Sequence, residues 1–153
     1  MQIAENLVQL ATPLARSWLL LLDLRNYAAW HPFVTMEGRA RQGTRVAYRH
    51  RSSSRFVPDI ISQALITDLS THRRITWRIG SRFALAFEES FLVERSASGT
   101  LLRHRYAMRG PFSIVGALLF GNWLRTSIVI VDQSLAAYAK RGTTAAHYFA
   151  ALR

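Results

Sequence analysis

Two stretches hold most of the side chains able to do chemistry: EESFLV at residues 88–93 and LLRHRYAM at residues 101–108, with SASG between them. Side chains alternate across a strand, so a hairpin turning at SASG places Val93 near Leu102, Phe91 near His104 and Glu89 near Tyr106, to within a residue or two of register. Glu89, His104 and Tyr106 then share one face with phenylalanines. A carboxylate in apolar surroundings has its pKa pushed upward and can serve as an acid or a base, while an imidazole and a phenol can orient a carbonyl or a phenol. The plainer account is the favoured one: the three satisfy each other's hydrogen bonds in a core, since buried polar groups need partners whatever their purpose.

A second cluster is Trp30-His31-Pro32-Phe33. Pro32 forces the preceding residue out of helical geometry and ends a helix there. The favoured reading is structural, with Trp30 and Phe33 plugging one end of the core and His31 turned to solvent. The functional reading makes His31 a hydrogen-bond donor on the rim of a cavity. Tyr48 and His50 point to the same side of their strand, with His50, near the strand end, the more solvated. No metal site is expected, because histidines 31, 50, 72, 104 and 147 show no short paired spacing. RSSSR lacks the glycines of a phosphate loop, and no Gly-x-Ser-x-Gly elbow is present.

The elements that must position these residues follow from periodicity. Gln2 to Leu10 reads as a strand. Thr12-Pro13 reads as an N-cap with proline in the first turn, leading an amphipathic helix over 13–23 that carries Leu14, Trp18, Leu21 and Leu22. DLRNYAAW continues as a second short helix. From Val34 the period becomes two: Val46, Tyr48 and His50; Ile75, Trp77 and Ile79; Phe83, Leu85, Phe87, Glu89, Phe91 and Val93; Leu102, His104, Tyr106 and Met108. The outward positions carry Arg45, Arg49, Arg51, Arg74, Arg78, Arg103, Arg105 and Arg109. RFVPDIISQALITDL reads as a strand whose register Pro58 and a bulge disturb. After Gly110-Pro111 a helix runs from Phe112 to about Ala139 and ends at Lys140-Arg141-Gly142. Residues 1–142 thus form one domain, and residues 143–153 a tail that packs back or frays. Short breaks between strands imply antiparallel pairing, and only the long helix is large enough to cover the sheet.

The bulk numbers narrow the class. A chain of 153 residues, 50% hydrophobic, suits a single folded domain. The absence of cysteine excludes disulfides and fits a reducing compartment. MQIAENLVQL is interrupted by Glu5 and Asn6 and does not read as a signal peptide. SWLLLLDL is too short to span a bilayer, and PFSIVGALLFGNWLRTSIVIV is cut by Asn122 and Arg125, so both read as core helices of a cytoplasmic protein. The net charge is +11, with Lys140 the only lysine among 20 basic residues. The arginines are spread along the chain, so nucleic acid is not an expected partner. The outer arginines are ordinary for a solvated strand face, and could also contact an anionic membrane or an acidic protein.

The order and spacing of three segments resemble the START-like, or SRPBCC, superfamily, which includes polyketide cyclase/dehydrase-like and Bet v 1-like helix-grip domains. ATPLARSWLLLLDLRNYAAWHPF resembles its opening, where an asparagine often stands at the place of His31. RRITWRI resembles its mid-sheet strand, and SGTLLRHRYAMRGPFS its last hairpin and entry into the terminal helix. The resemblance implies an α+β helix-grip fold, with a curved seven-stranded antiparallel sheet wrapped around a long C-terminal helix. It also implies a cavity that takes an apolar small molecule or lipid, with no cofactor. The residues expected to face that ligand are Trp30, His31, Phe33, Tyr48, Trp77, Phe87, Phe91, Phe112 and Trp123. A cyclase- or dehydratase-like enzyme would use Glu89, His104 and Tyr106 in the same cavity. The fold by itself implies no reaction.

Overall fold

The computed structural model describes residues 1–53, 55–56 and 58–151, with side chains described as far as residue 142. The elements are β1 (Gln2–Leu10), α1 (Leu14–Leu22), a 3-10 turn (Leu24–Asn26), α2 (Tyr27–Trp30), β2 (Val34–Glu37), β3 (Arg45–His50), β4 (Ile60–Ser70), β5 (Arg74–Gly80), β6 (Ala86–Ser96), β7 (Gly99–Arg109) and α3 (Ser113–Ala151). The seven strands form one curled antiparallel sheet in the order β1-β7-β6-β5-β4-β3-β2. Consecutive strands joined by short turns pair with each other, and β1 comes back to lie beside β7. This is the helix-grip architecture.

The β6–β7 register is the expected one: Val93 faces Leu102, Phe91 faces His104 and Glu89 faces Tyr106. The irregularity in β4 is also present. Ile66 pairs with Trp77 and Asp68 with Thr76, which leaves Thr67 as the extra residue of a bulge. Three local expectations fail for physical reasons. Thr12 does not cap α1. Pro13 holds that position, while the Thr12 hydroxyl shares a 2.6 Å hydrogen bond with Ser17, and the Thr12 carbonyl accepts one from Thr100 at 2.8 Å. Phe83 is not on an inner strand face, because β6 begins only at Ala86 and Phe83 lies in the loop before it, 80% exposed. Gly142 does not end α3, whose backbone continues as helix to Ala151. How the side chains of 143–151 pack lies outside the described residues. The outer arginines project from the sheet as expected and are partly neutralised by neighbouring carboxylates. Arg49 pairs with Asp59, Arg74 with Asp68, Arg103 and Arg105 with Glu5, and Arg109 with Glu88.

α3 is the one described helix long and apolar enough to cross a bilayer by composition. Leu124, Ile128, Val131 and Leu135 are buried, which makes it the core helix of the domain. The apolar interior is divided. One cluster packs α1 and α2 against the sheet, with Leu102, Val131 and Leu135. The other gathers Ile3, Ala4, Tyr106, Met108, Leu124 and Ile128. Along β7, His104 separates Leu102 from Tyr106, so a polar layer lies where the two clusters meet.

Entry into α3 is set at Gly110, which has φ +99°. A Cβ there would come within 2.5 Å of the Ala84 carbonyl oxygen, while the Phe112 amide donates to that same oxygen at 3.1 Å. Replacing Gly110 with alanine should therefore cost about 1–3 kcal/mol, read as a lower midpoint in urea denaturation. An unchanged midpoint would show that this turn does not hold the helix in place.

Candidate functional site

The polar layer is built on His104. Its Nδ1 lies 2.7 Å from Asp132 Oδ1 and its Nε2 lies 2.9 Å from Glu89 Oε1. All three side chains are essentially inaccessible to solvent. An ionised carboxylate can only accept a hydrogen bond, so an imidazole held between two of them donates from both nitrogens and is positively charged. Asn6 completes the layer by donating from Nδ2 to Asp132 Oδ2 at 2.8 Å. Phe91 stacks on the imidazole, with ring centroids 4.1 Å apart and planes 18° from parallel, which suits a cation over a π face.

This arrangement reverses the expectation for Glu89. Burial does push its carboxyl upward, but the hydrogen bond from His104 and the nearby His31 imidazole outweigh it and hold the pKa at about 2. Burial likewise works against a charged His104, yet its bonds to Asp132 and Glu89 carry it up to about 9. Glu89 is therefore a stable anion and a weak base. Tyr48 and Tyr106 are held neutral, their pKa values raised first by burial and then by the Glu89 charge.

Glu89 also forms the polar end of a cavity of ≈ 230 Å³. His31, Phe33, Tyr48, His50, Phe87, Tyr106 and Trp123 line it, together with Ile60, Ile79, Leu85, Met108, Phe120, Leu124 and Ser127. His31 is buried, not turned to solvent. Its Nδ1 accepts hydrogen bonds from the amides of Phe33 (3.2 Å) and Val34 (3.0 Å), which fold the corner after Pro32 back into β2. In the neutral ring those bonds leave the proton on Nε2. That atom has no hydrogen-bond partner and lies 3.9 Å from Glu89 Oε1, too far for a direct bond. At the mouth, Phe33, His50 and Trp123 pack together, with His50 5.9 Å from Phe33 and 5.2 Å from Trp123. Burial, and then the neighbouring His31, lower the pKa of His50.

Other residues expected to face the ligand do not. Trp30, Trp77 and Phe91 are buried behind the cavity, where Tyr27 packs on Trp30 at 4.5 Å and Trp77 on Phe91 at 5.4 Å. They stiffen its wall. Phe112 precedes the first turn of α3 and is 58% exposed on the outside. His104 sits one layer beneath the cavity and reaches it only through Glu89. Tyr106 touches His104 edge-on, with ring centroids 4.8 Å apart, and is not a third member of the bonded set. That member is Asp132, which sequence reasoning passed over. The available signal was a lone carboxylate on an otherwise apolar helix, since such a group must find a partner inside.

Comparison with known proteins agrees with this fold. The family model described as polyketide cyclase / dehydrase and lipid transport matches residues 1–141. The chain belongs to that family. Among solved structures, protein Ms6760 from Mycobacterium smegmatis is similar with a TM-score of 0.68 at 14% identity, covering 90% of each chain. Protein SSP2350 from Staphylococcus saprophyticus gives 0.62 at 16% identity, covering 93% of each. The di-domain ARO/CYC StfQ of the steffimycin biosynthetic pathway gives 0.67 at 10% identity. There the match covers 92% of this chain and 51% of StfQ. Such identities establish the shared fold. No curated protein matches the sequence. Family and fold together support a cavity-binding or cyclase-type function.

The sign of the pH dependence follows from the two shifts. His104 is raised from 6.5 to about 9, so its contribution to stability is complete below pH 6.5 and is lost as pH rises through about 9. Glu89 is lowered from 4.5 to about 2, so its contribution is complete above pH 4.5 and is lost as pH falls through about 2. Thermal melts should show a plateau between about pH 4.5 and 6.5 and a decline on the alkaline side. His104→Gln should remove the alkaline decline and cost about 3–5 kcal/mol, because it strands buried carboxylates without a cation. A wild-type melting temperature that stays flat from pH 6.5 to 9 would contradict a charged His104.

Proposed function

We propose that the protein binds an apolar small molecule bearing a hydroxyl group, and seats that hydroxyl between Glu89 and His31. The observation that carries this reading is the unpartnered, buried His31 Nε2 held 3.9 Å from the Glu89 carboxylate at the polar end of an otherwise largely apolar cavity. A hydroxyl set to one side of that line can donate to the carboxylate and accept from the imidazole at the same time. A ketone would only accept, leaving Glu89 unanswered. A carboxylate ligand would be repelled by it.

Burial of the apolar body supplies most of the binding free energy, about 25 cal/mol for each Å² removed from water. The two polar groups fix orientation. At ≈ 230 Å³ the cavity is smaller than the roughly 300–1,000 Å³ usual for drug-sized ligands, so a longer molecule extends past Phe120 and Trp123 at the mouth. Carriage or sequestration of such a molecule follows naturally from this arrangement.

A cyclase- or dehydratase-type reaction using Glu89, His104 and Tyr106 is the second reading, supported by family and by the StfQ fold. It is the weaker of the two, since a carboxyl held at about 2 is a poor base and is not a proton donor near neutrality.

The test is a matched pair, 1-naphthol and 1-methylnaphthalene, titrated calorimetrically. The naphthol should bind about ten- to a hundredfold more tightly, the worth of a hydrogen bond to a charged group. His31→Ala and Glu89→Gln should each erase most of that preference. Equal affinity for the two compounds would overturn hydroxyl recognition. Loss of turnover of a polyketide substrate in Glu89→Gln, with affinity unchanged, would instead favour the enzyme.

A further inference from the structure

The N-terminal third of α3 is apolar on the outside as well as the inside. Ile114, Val115, Leu118 and Leu119 are 53–81% exposed, and Phe112 and Phe83 beside them are 58% and 80% exposed. The bond from the Phe112 amide to the Ala84 carbonyl holds the loop over 81–85 against the helix entry, so these side chains form one patch at one end of the molecule. Only 33% of the most apolar part of this helix is buried. Solvated helix faces are polar, and patches of this kind mark interaction sites.

Three observations say what covers the patch. It is continuous with the cavity mouth, because Phe120 and Trp123 are partly exposed, follow Leu119 on α3 and line the cavity. Its charged surroundings are basic. Arg82 lies 5.2 Å over the Phe83 ring, Arg125 stands further along the helix beyond Leu118, and Glu88 on the adjoining strand is paired with Arg109. Finally, a second copy would bring another chain of net charge +11 against the first.

We infer that this end of the molecule docks on an anionic lipid bilayer, with Leu118, Leu119 and Phe83 entering the interface and the cavity mouth facing the membrane. The helix lies on the bilayer and does not cross it. Its fully apolar outer stretch ends at Asn122, and Asp132 further along is locked into the core. Arginines at the patch edge reach the headgroups, and leucine and phenylalanine burial supplies the salt-insensitive part. The surface stands whether or not the cavity prefers a hydroxyl.

The experiment is co-sedimentation of the full chain with phosphatidylcholine vesicles, with and without phosphatidylserine. Trp123 emission serves as an internal reporter, since Trp18, Trp30 and Trp77 are buried. The wild type should partition to the phosphatidylserine vesicles with a blue shift, and brominated lipids should quench that emission. Leu118→Glu with Leu119→Glu should weaken partitioning about tenfold or more and leave the thermal melt unchanged, because both side chains are exposed. Arg103→Gln with Arg105→Gln, on the outer sheet face, should change it little. No partitioning of the wild type would overturn the inference. So would partitioning that survives the double glutamate change, or that vanishes only with the sheet arginines. A dimer that the glutamates dissociate, with vesicles ignored, would assign the patch to a second copy instead.

Discussion

One buried cation organises this domain. The His104 imidazolium joins β7 to β6 through Glu89 and to α3 through Asp132, and so ties the sheet to the helix that fills its concave side. Hydrophobic contact alone would let a helix slide along a curved sheet. Two hydrogen bonds of fixed length on opposite sides of one ring do not. The adjoining phenols of Tyr48 and Tyr106 stay neutral first because they are buried and then because of the Glu89 charge, and that same carboxylate gives the cavity its polar end.

Around that layer the structure separates support from contact. Trp30, Trp77, Tyr27 and Phe91 form a rigid aromatic wall, and Phe91 backs the imidazolium. A second set of aromatics, among them Phe33, Tyr48, Phe87 and Trp123, meets the empty volume together with the more adaptable Ile79, Leu85 and Met108. The division makes sense energetically. Large aromatics contribute most to stability when fully enclosed, and the aliphatic and thioether groups in the lining supply what adjustment the ligand surface has. The same fold is found in StfQ and in SSP2350, and a fold by itself implies no reaction.

The strands were legible because their inner and outer residues differ so sharply in polarity. Arg103 and Arg105 alternate with Leu102, His104 and Tyr106, which fixes parity, and the SASG turn then fixes register. The approach of Glu89 to His104 followed directly. What sequence could not convey was the third partner. Asp132 lies 28 residues from His104 on another element, and only the docking of α3 brings them together. Without that partner the reasoning assigned Glu89 a raised pKa, when the charged histidine in fact lowers it. Trp77 and Phe112 show the other limit. Alternation tells which side of a strand is inward, but not whether inward means cavity or packed core, and it says nothing of a residue placed just before a helix.

The corner after Pro32 has one further implication. His31 does two jobs with one ring: an acceptor nitrogen gathers two main-chain amides, and the opposite nitrogen offers a proton inward. A primary carboxamide has the same polarity in miniature, an oxygen to receive and an NH₂ to give. Asparagine can therefore exchange with histidine here without rewriting the bend, at the loss of the ring's packing on Tyr27 and Trp30 and with a donor that reaches less far. Variation at this one position would act as a ruler, setting the depth at which a guest's polar group comes to rest.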